Sequence, residues 1–581
     1  MIPGFVQDFQ MERSFARNLY ENIKGGSVMR KRNTLKRAAA GILAGAMVFG
    51  LTACGGSSAP AENTAAQSEG TTAQAGTQNN GQKTMIKIGL ANTVPSLQPF
   101  KGTGLYYGFV DGQVYQRLGQ RTDFATQTFR PVLMTEYSTD DGINYNITIR
   151  DDIYDSAGVH LTAADVAWCF NHVKENGLNG NSYIDHAEAT GDYTLVLTLA
   201  NDDLWSFEAA LEAVCIVTKE SFEASEDGMA TKPVGTGPYV VKEFITGSKV
   251  VLEENENYWA DKAEGLEDLP IYRHNVDCIE LDFLTEATQM SVALQTGEIQ
   301  MGLWLNEAIV DECKEYPEYT VETLDNRQMC ELLFNVTDQS PCSDVNLRKA
   351  IAYAVNNQLM IDNALHGIGS VSPALGKPGL AGYNENWATE YEYYPYDAEK
   401  AKELVAASGY SGEELSIMIQ SNALYRSEAT VLQENLKAAG INARIDEYDM
   451  STRNKYVVAG SGYHYDIALY NLSAGGSYLI QTLESWLNED RYGNGMNMFG
   501  SSDPKLQELT LACGEEDWTQ DDYDELYKYV YDNCYLYQWY ESKFSYAAEQ
   551  GIVIPDEARS ALNGEFLIGA LELPENWSHF Q

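Results

Sequence analysis

Hydrophobic and polar positions beyond residue 84 follow two different periods. The segments "TMIKIGLA" and "DGINYNITIR" place apolar side chains at every second position, which predicts strands. In "LTAADVAWCFNHV", Val166, Phe170 and Val173 recur instead at helical spacing. Thr162 and Asp165 form a capping-box pattern that marks the start of this helix. Because strand-like and helix-like segments alternate along the chain beyond residue 84, the sequence predicts a mixed α/β fold.

Turn and cap residues predict where further elements begin and end. Thr246-Gly247 lies between two strand-like runs and predicts a hairpin turn. The segment "YDAEKAKELVAASGY" predicts a helix that Asp397 caps at its start and that Gly409 follows at the C′ position. Another helix is predicted over "VNLRKAIAYAV", in which we expect Arg348 to be a structural ion-pair partner.

The segment before the body consists of three blocks of different character. "MRKRNTLKR" is basic, residues 38–51 are apolar, and Cys54 precedes glycine and serine. The apolar block is too short to cross a hydrocarbon core of about 30 Å at about 1.5 Å per residue, and the order of blocks is typical of a secretory signal peptide. The stretch "LTAC" resembles the lipobox of bacterial lipoproteins, which implies that Cys54 carries the lipid that anchors the protein. A free cysteine after an ordinary signal peptide is the alternative.

These blocks predict how the N-terminal part is divided. We interpret residues 1–28 as a mis-called extension, with Met29 as the initiator, and residues 29–53 as the lipoprotein signal peptide. Residues 54–84 are expected to be a disordered tether. From residue 55 onward this stretch has no Leu, Ile, Val, Met or aromatic residue, so it cannot bury enough apolar surface to fold.

The charge balance excludes one class of partner. The chain has 39 basic and 84 acidic residues, a formal net charge of −45. Because binding to nucleic-acid phosphates requires a basic surface, we exclude nucleic acid as a partner. An acidic surface otherwise favours solubility and does not identify a ligand.

Cysteine and histidine usage predicts neither a metal site nor a cofactor. Eight cysteines follow Cys54, no pair has C-x-x-C spacing, and the seven histidines are scattered. Several of these cysteines lie in apolar runs and are expected to be small core residues. Disulfides remain open, because connectivity cannot be read from a sequence. The cysteines are Cys169, Cys215, Cys278, Cys313, Cys330, Cys342, Cys513 and Cys534.

An ordered series of motifs resembles the family 5 extracellular solute-binding proteins, the peptide/nickel-type receptors of bacterial ABC importers. In chain order the series is "SLQPF", "VYQRL", "DDGINYNITIRDDIYDSAGVHLTAADVAWCF", "GTGPYVV", "NYW", "GEIQMG", "LLFNV", "NLRKAIAYAVNN", "LQENLKAAGINARI" and "YDIALYNL". No single motif decides the resemblance. The order of all of them does, and it covers nearly the whole body of the chain.

The resemblance implies a two-lobed periplasmic-binding-protein-like fold with an extra inserted subdomain and a hinge between the lobes. Lobe I would consist of residues 85–119, 192–329 and 541–581, the insertion of residues 120–191, and lobe II of residues 330–540. A ligand would bind between the lobes and be buried when the hinge closes. The receptor would be a monomer that delivers its ligand to ABC permease subunits.

The resemblance also locates a segment that would face the ligand. In peptide-binding members the strand after the "YD" motif leads to a Gly-Trp pair and then to an Asp that binds the peptide amino terminus. Here Tyr470 and Asn471 replace Gly-Trp, and no acidic residue follows until Glu484. The usual carboxylate anchor for an ammonium group is therefore missing, and a peptide requires an acid from elsewhere.

The candidate ligand-binding residues combine aromatic and amide side chains. They are Trp304, Tyr470, Asn471, Ser473, Tyr478 and Tyr107, with Tyr106 beside the last. Aromatic rings and amides also suit an oligosaccharide, which some members of the family bind. A chelated nickel ion is the least favoured ligand, because His464 is the only histidine near this segment.

The sequence therefore predicts a membrane-anchored substrate-binding lipoprotein of an ABC transporter, with an oligopeptide as the first ligand and an oligosaccharide as the alternative. A secreted hydrolase is the rival class, although the chain lacks G-x-S-x-G, H-E-x-x-H and Walker A patterns, and we expect no enzyme activity. A structural surface protein is a third class. The lipobox and tether favour a Gram-positive cell surface over a Gram-negative periplasm.

Overall fold

The computed structural model describes residues 83–100, 107–121, 129–202, 205–263, 266, 269–457, 463–473, 478–487, 502–515, 517–559 and 566–580. They belong to one folded unit, Ala75–Gln581. The predicted signal peptide, Cys54 and residues 55–82 of the tether lie outside the described residues, as does Tyr106. The predicted tether is too long at its C-terminal end, because the backbone N–H and the hydroxyl of Thr84 donate hydrogen bonds to Asp277 of the folded body. No helix in the described ranges combines the length and the apolar character needed to cross a membrane.

The described strands follow the predicted α/β character. In chain order they are β1 Met85–Leu90, β2 Gly119–Arg121, β3 Phe129–Pro131, β4 Met134–Thr139, β5 Asn144–Ile149, β6 Ile184–Ala189, β7 Thr194–Leu199, β8 Tyr239–Ile245, β9 Lys249–Glu254, β10 Cys278–Phe283, β11 Met301–Leu303, β12 Tyr319–Phe334, β13 Gly369–Val371, β14 Leu415–Gln420, β15 Ala443–Tyr448, β16 Ile467–Ser473 and β17 Leu536–Glu549.

The described helices alternate with these strands. They are α1 Tyr107–Val114, α2 Ala163–Glu175, α3 Ser206–Ala213, α4 Lys219–Ala224, α5 Ala287–Gln295, α6 Glu307–Lys314, α7 Val345–Ala354, α8 Asn357–Ala364, α9 Trp387–Glu390, α10 Ala398–Ala407, α11 Ala423–Ala438, α12 Met450–Tyr456, α13 Leu479–Leu487, α14 Pro504–Cys513 and α15 Gln520–Asn533.

One large mixed sheet runs through the molecule. Its order is β15-β14-β16-β12-β17-β11-β1-β10-β9-β8, with β13 paired to β17, and a separate four-stranded sheet has the order β4-β5-β7-β6. β14 is parallel to both β15 and β16, and β1 is parallel to both β10 and β11. Between these two parallel groups lie the long strands β12 and β17, which are antiparallel to each other. The two groups are therefore joined through this central pair.

The hydrogen-bond ladder of the central pair is irregular at two places near its middle: a smaller irregularity lies between Cys330 and Glu331, and a larger one lies between Asp325 and Met329. Asp325 pairs with Lys543 and Met329 pairs with Glu541, so three residues of β12 lie opposite the single residue Ser542. We call this larger interruption the register break. On one side of it β17 pairs with β11, and on the other side β12 pairs with β16. The break thus lies between the two parallel groups.

Alternating side chains of β12, β14 and β16 build two separate apolar clusters on opposite faces of the sheet. Leu332, Ile417 and Leu469 belong to one cluster, and Leu333 and Met418 belong to the other. Such strands read as nearly continuous hydrophobic runs because both faces are covered. A third cluster surrounds β1 and β10 and continues into the four-stranded sheet.

Most predicted turns and caps are confirmed. Thr162 and Asp165 make the capping box of α2, and Asp397 accepts hydrogen bonds from the first backbone N–H groups of α10. Gly247 has φ +73° in the turn between β8 and β9. Gly409 does follow α10, but its backbone is not left-handed, and its N–H donates to Asp344 at 3.1 Å instead of closing the helix end.

The prediction that Arg348 is an ion-pair partner is wrong. Its guanidinium is buried and donates to the carbonyl oxygens of Asn533 and Cys534, at the end of α15, and to those of Cys342 and Ser343. The distances lie between 2.6 and 3.1 Å. Arg348 therefore satisfies carbonyls that a helix leaves without intrahelical partners.

The eight cysteines after Cys54 are all buried thiols without a disulfide. Burial raises the pKa of each thiol for which a shift is found, for example Cys278 and Cys534, both to about 11. Thiols of this kind are unreactive core residues. This agrees with their predicted role.

We predict that Arg348→Lys lowers the free energy of unfolding by about 2–3 kcal/mol. A lysine ammonium lacks the planar arrangement of donors that lets the guanidinium bind four carbonyl oxygens. Some of these carbonyls would therefore be buried without a hydrogen-bond donor. Urea titration measures the change. Arg444→Lys is the control, since the Arg444 side chain is 48% exposed and its surface ion pair should contribute less than about 0.5 kcal/mol. Equal effects at the two positions would contradict this interpretation.

A second prediction concerns His274, which contacts Glu254 at 3.1 Å and Asp261 at 2.9 Å. The hydrogen bond to Glu254, followed by that to Asp261, raises the pKa of His274 to about 9. Its stabilisation is therefore complete below the ordinary value of about 6.5 and is lost as the pH rises through about 9.

His274→Gln should lower stability by about 1–2 kcal/mol at pH 6, after allowance for partial exposure, and by much less at pH 9.5. Thermal unfolding of both proteins across this pH range tests the prediction. A difference that does not shrink with rising pH would contradict it.

Candidate ligand-binding site

Two predicted site residues lie where separate parts of the chain pack together. Tyr470 of β16 is buried in the cluster that contains Leu333 and Met418, and Tyr478 packs against the same cluster. Trp205, which precedes α3, is also part of this cluster although it comes from a distant part of the sequence. Burial of Tyr478 raises the pKa of its hydroxyl, and the second cause is the charge of Glu208 in α3. Trp205 thus packs into the cluster that contains Tyr470, and Glu208 of α3 lies close enough to Tyr478 to influence its hydroxyl.

Glu331 is the cross-strand partner of Tyr470 and lies on this same face. Its side chain is fully buried, and neither carboxylate oxygen has a hydrogen-bond partner in the described part of the chain. Burial raises the pKa of Glu331 well above its ordinary value, and Lys377 opposes this effect only in part. A buried carboxyl group without partners is costly, so it marks a position that is not optimised for stability alone.

A buried ion pair lies beside Glu331. Lys377 contacts Glu541 of β17 at 2.8 Å, and their side chains are 2% and 12% exposed. Glu541 pairs with Met329 in the ladder, directly at the register break. Charged groups are therefore concentrated where the ladder of the central pair is interrupted.

Arg453 of α12 is a second buried charged residue on this side of the molecule. Its guanidinium carbon lies 4.2 Å from the centroid of the Tyr470 ring and 5.9 Å from that of Tyr425. These are cation–π distances. Its Nη1 atom has no hydrogen-bond partner among the described residues.

Helix α13 adds further buried polar atoms to the same cluster. In the described part of the chain the indole N–H of Trp486 and the amide oxygen of Gln481 lack hydrogen-bond partners. Native proteins leave few such groups buried without partners, and a bound ligand or ordered water is one explanation for them. Together with Glu331 and Arg453, they form a group of unpaired polar atoms in the second half of the chain.

Trp304 lies in a different cluster from Tyr470. It directly follows β11 and packs edge-on against Phe109 of α1, with ring centroids 5.0 Å apart, and against Phe544 of β17 at 6.4 Å. Its φ is +54°, a left-handed value that is rare for a bulky side chain. Such strain persists only where the surroundings enforce it, and it is enriched at functional sites.

The other predicted residues are placed as follows. Asn471 is half-buried, and its partner in the ladder is Cys330, which belongs to the cluster on the opposite face from Tyr470. Ser473 ends β16 and pairs with Gln328, while Tyr107 begins α1, and the side chains of both Ser473 and Tyr107 lie outside the described residues. These assignments stay predictions.

The described residues contain no cluster of ligands that could hold a metal ion. His464 is exposed, and its ring lies 4.4 Å from that of Tyr456.

Sequence reasoning missed Glu331 and Arg453. Glu331 gave a usable signal, since it is the only charged residue in the apolar run "MCELLF", and buried carboxylates are rare unless paired. Arg453 lies in the polar segment "DMSTRNKY" and gave none. Its burial results from packing against Tyr425 and Tyr470, which lie in other elements, α11 and β16.

The profile of the bacterial extracellular solute-binding proteins, family 5 (middle region), matches residues 128–494. Heme-binding protein A of Haemophilus influenzae is 26% identical over 348 residues, which cover 55% of this chain and 60% of that protein. The glutathione-binding protein GsiB of Salmonella paratyphi A is 26% identical over 388 residues, which cover 63% of this chain and 70% of that protein.

Solved structures agree on the fold. The oligopeptide-binding protein AppA of Bacillus subtilis, determined with a nonapeptide, superposes with a TM-score of 0.65 at 17% identity, covering 85% of this chain and 99% of AppA. At this identity the likeness shows the fold alone. The predicted two-lobed periplasmic-binding-protein-like fold is confirmed, whereas the boundaries proposed for the lobes and the inserted subdomain stay predictions.

We predict that Glu331→Gln makes the ligand-free protein more stable at pH 8 than the native sequence, by at least about 1 kcal/mol. An acid with a raised folded-state pKa lowers stability as the pH rises above its ordinary value, and the neutral amide avoids this cost. The two proteins should converge near pH 4. Thermal unfolding at several pH values measures the difference, and Glu318→Gln, an exposed position, is the control. A Glu331→Gln curve parallel to the native one would contradict the prediction.

Proposed function

Because the chain belongs to the bacterial extracellular solute-binding proteins of family 5, we propose that it captures a solute between two lobes and delivers it to an ABC permease. The family consists of solute-binding proteins of transporters rather than enzymes. The lobe boundaries predicted from the sequence complete this proposal, with residues 330–540 as lobe II.

One observation carries the proposal: unpaired polar groups are buried in and around the apolar cluster that contains Tyr470. Glu331 and Arg453 contribute a carboxyl and a guanidinium, and Trp486 contributes an indole N–H. Each such group costs about 1–3 kcal/mol when it lacks a partner. A ligand that supplies the partners recovers this cost as binding energy, which explains why the groups are retained.

The register break supports closure of the lobes around the ligand. Strands β12 and β17 connect the two parallel groups of the sheet, and their ladder is interrupted between Asp325 and Met329. Hinges are a few residues that absorb large changes of backbone angle. A break in the ladder removes hydrogen bonds that would otherwise resist such a change.

An oligopeptide is the ligand class we favour. The carboxylate missing after Asn471 is available from Glu331, which lies next to Tyr470 in the ladder. Relatives and structural neighbours include proteins described as glutathione-binding and oligopeptide-binding. An oligosaccharide is less favoured, because sugar binding uses open aromatic faces and one face of Tyr470 is covered by Arg453 at 4.2 Å.

Anchoring follows from the N-terminal sequence. We propose that Cys54 is lipidated and holds the monomeric receptor at the outer face of the cell membrane. The lipobox and the tether are more consistent with a Gram-positive cell surface than with a Gram-negative periplasm. The tether, residues 54–82, would leave the folded body free to close and to reach its permease.

Native mass spectrometry of the protein purified without refolding tests the ligand class. We expect a heterogeneous set of co-purified masses that correspond to short peptides and disappear after partial unfolding and dialysis. Glu331→Gln, purified in parallel, should retain less of this material, because the neutral amide cannot pair with a peptide ammonium group.

Other outcomes separate the alternatives. Masses with hexose or pentose spacing would replace the peptide assignment by an oligosaccharide. A protein that carries no ligand and whose thermal unfolding responds neither to peptide nor to oligosaccharide mixtures would contradict the receptor function itself.

A further inference from the structure

The guanidinium of Arg453 is buried, and few hydrogen-bond acceptors of the protein reach it. The residue is 5% exposed. Its Nε and Nη2 atoms both donate to the side-chain oxygen of the adjacent Asn454, at 3.4 and 3.2 Å, and Nη1 has no partner among the described residues. Two long hydrogen bonds to one amide oxygen leave most of the five N–H groups unsatisfied.

Two acidic side chains close in sequence to Arg453 or to Tyr425 accept hydrogen bonds from other groups. Asp449 caps α12 and accepts from the Thr452 amide at 3.0 Å and its hydroxyl at 2.6 Å. Glu428 lies one turn beyond Tyr425 on α11 and accepts a hydrogen bond from Tyr540. In a chain with 84 acidic residues, no ion pair joins a described carboxylate to this arginine. A buried cation without a counter-ion is strongly unfavourable unless a ligand provides the charge.

Three chain segments hold the guanidinium in place. Tyr425 lies in the first turn of α11 after β14, Arg453 lies in α12 after β15, and Tyr470 lies near the end of β16. These three strands are parallel, so their carboxyl ends meet at one edge of the sheet. Ligands of open α/β sheets bind at this edge.

We propose that Arg453 binds a carboxylate group of the captured solute. The inference rests on the proposed receptor function and specifies its ligand further. A guanidinium donates two parallel hydrogen bonds to a carboxylate, and the Tyr425 and Tyr470 rings fix its position. Arg453 thereby selects solutes that carry a free carboxylate over the matching amides or esters.

Two of the ligand classes considered can supply this carboxylate. A peptide has a C-terminal carboxylate, and an acidic sugar has a carboxylate on its ring. Thermal unfolding and calorimetry distinguish them with defined probes. The probes are tri- to pentaalanine, the same peptides as C-terminal amides, and digalacturonate beside its neutral methyl ester.

For the native sequence we expect a free-acid probe to bind about 10- to 100-fold more tightly than its neutral counterpart, the ratio that one charge-assisted pair provides. This comparison requires no variant, so it remains decisive even if substitution of Arg453 impairs folding. Preference for the free-acid peptides or for digalacturonate identifies the source of the carboxylate.

Variants test whether Arg453 causes the preference for free-acid probes. Arg453→Gln should bind acid and neutral probes alike, and Arg453→Lys should retain only part of the preference, because it keeps the charge but loses the planar fork. Arg444→Gln is the matched control, since Arg444 is exposed on β15 and paired with Asp446. It should behave as the native protein does.

The outcomes separate this inference from the proposed function. Tight binding with equal affinity for acid and neutral probes, or a preference that Arg453→Gln leaves unchanged, overturns the role of Arg453 while the receptor function stands. Absence of binding to every peptide and sugar probe, together with no co-purified ligand, overturns both.

Discussion

The antiparallel pairing of β12 with β17 is the constraint on which the rest of the structure depends. β17 pairs with β11 of one half and β12 pairs with β16 of the other, so their pairing with each other connects the parallel groups around β1 and β14. A ladder without interruption would be stiff along its whole length. At the register break between Asp325 and Met329 the chain continues, but the ladder of hydrogen bonds between the two strands is interrupted. The same pair therefore joins the halves and provides the position where they can move.

Charged groups gather around this pair at a cost to stability. Glu331 and Glu541 lie on the two strands, and Lys377 pairs with Glu541 from a loop. A core optimised for stability would contain apolar side chains here, because buried ion pairs and unpaired carboxyl groups rarely contribute net free energy. We interpret these charged groups and Arg453 as residues that lower the stability of the protein and are retained because they bind the ligand.

Much of the fold could be predicted because its signals are local. The capping box at Thr162, the cap at Asp397 and the turn at Gly247 depend on residues a few positions apart, and all are confirmed. Arg348 shows where this reasoning fails. Its charge suggested an ion pair, but folding brings the end of α15 within reach, and carbonyl oxygens take the place of a carboxylate.

The sequence by itself determined the α/β class, the family and the aromatic strand that carries Tyr470, since period, caps and ordered motifs are properties of neighbouring residues. Only the tertiary structure decided that Glu331 lies beside Tyr470 and that Arg453 lies over its ring. Strand register brings together Glu331 and Tyr470, which are more than a hundred positions apart, and helix packing places Arg453 of α12 over a ring of β16. No short segment encodes either contact. The physical reason is that the environment of a charge, rather than its identity, decides whether it is a surface residue or a binding group.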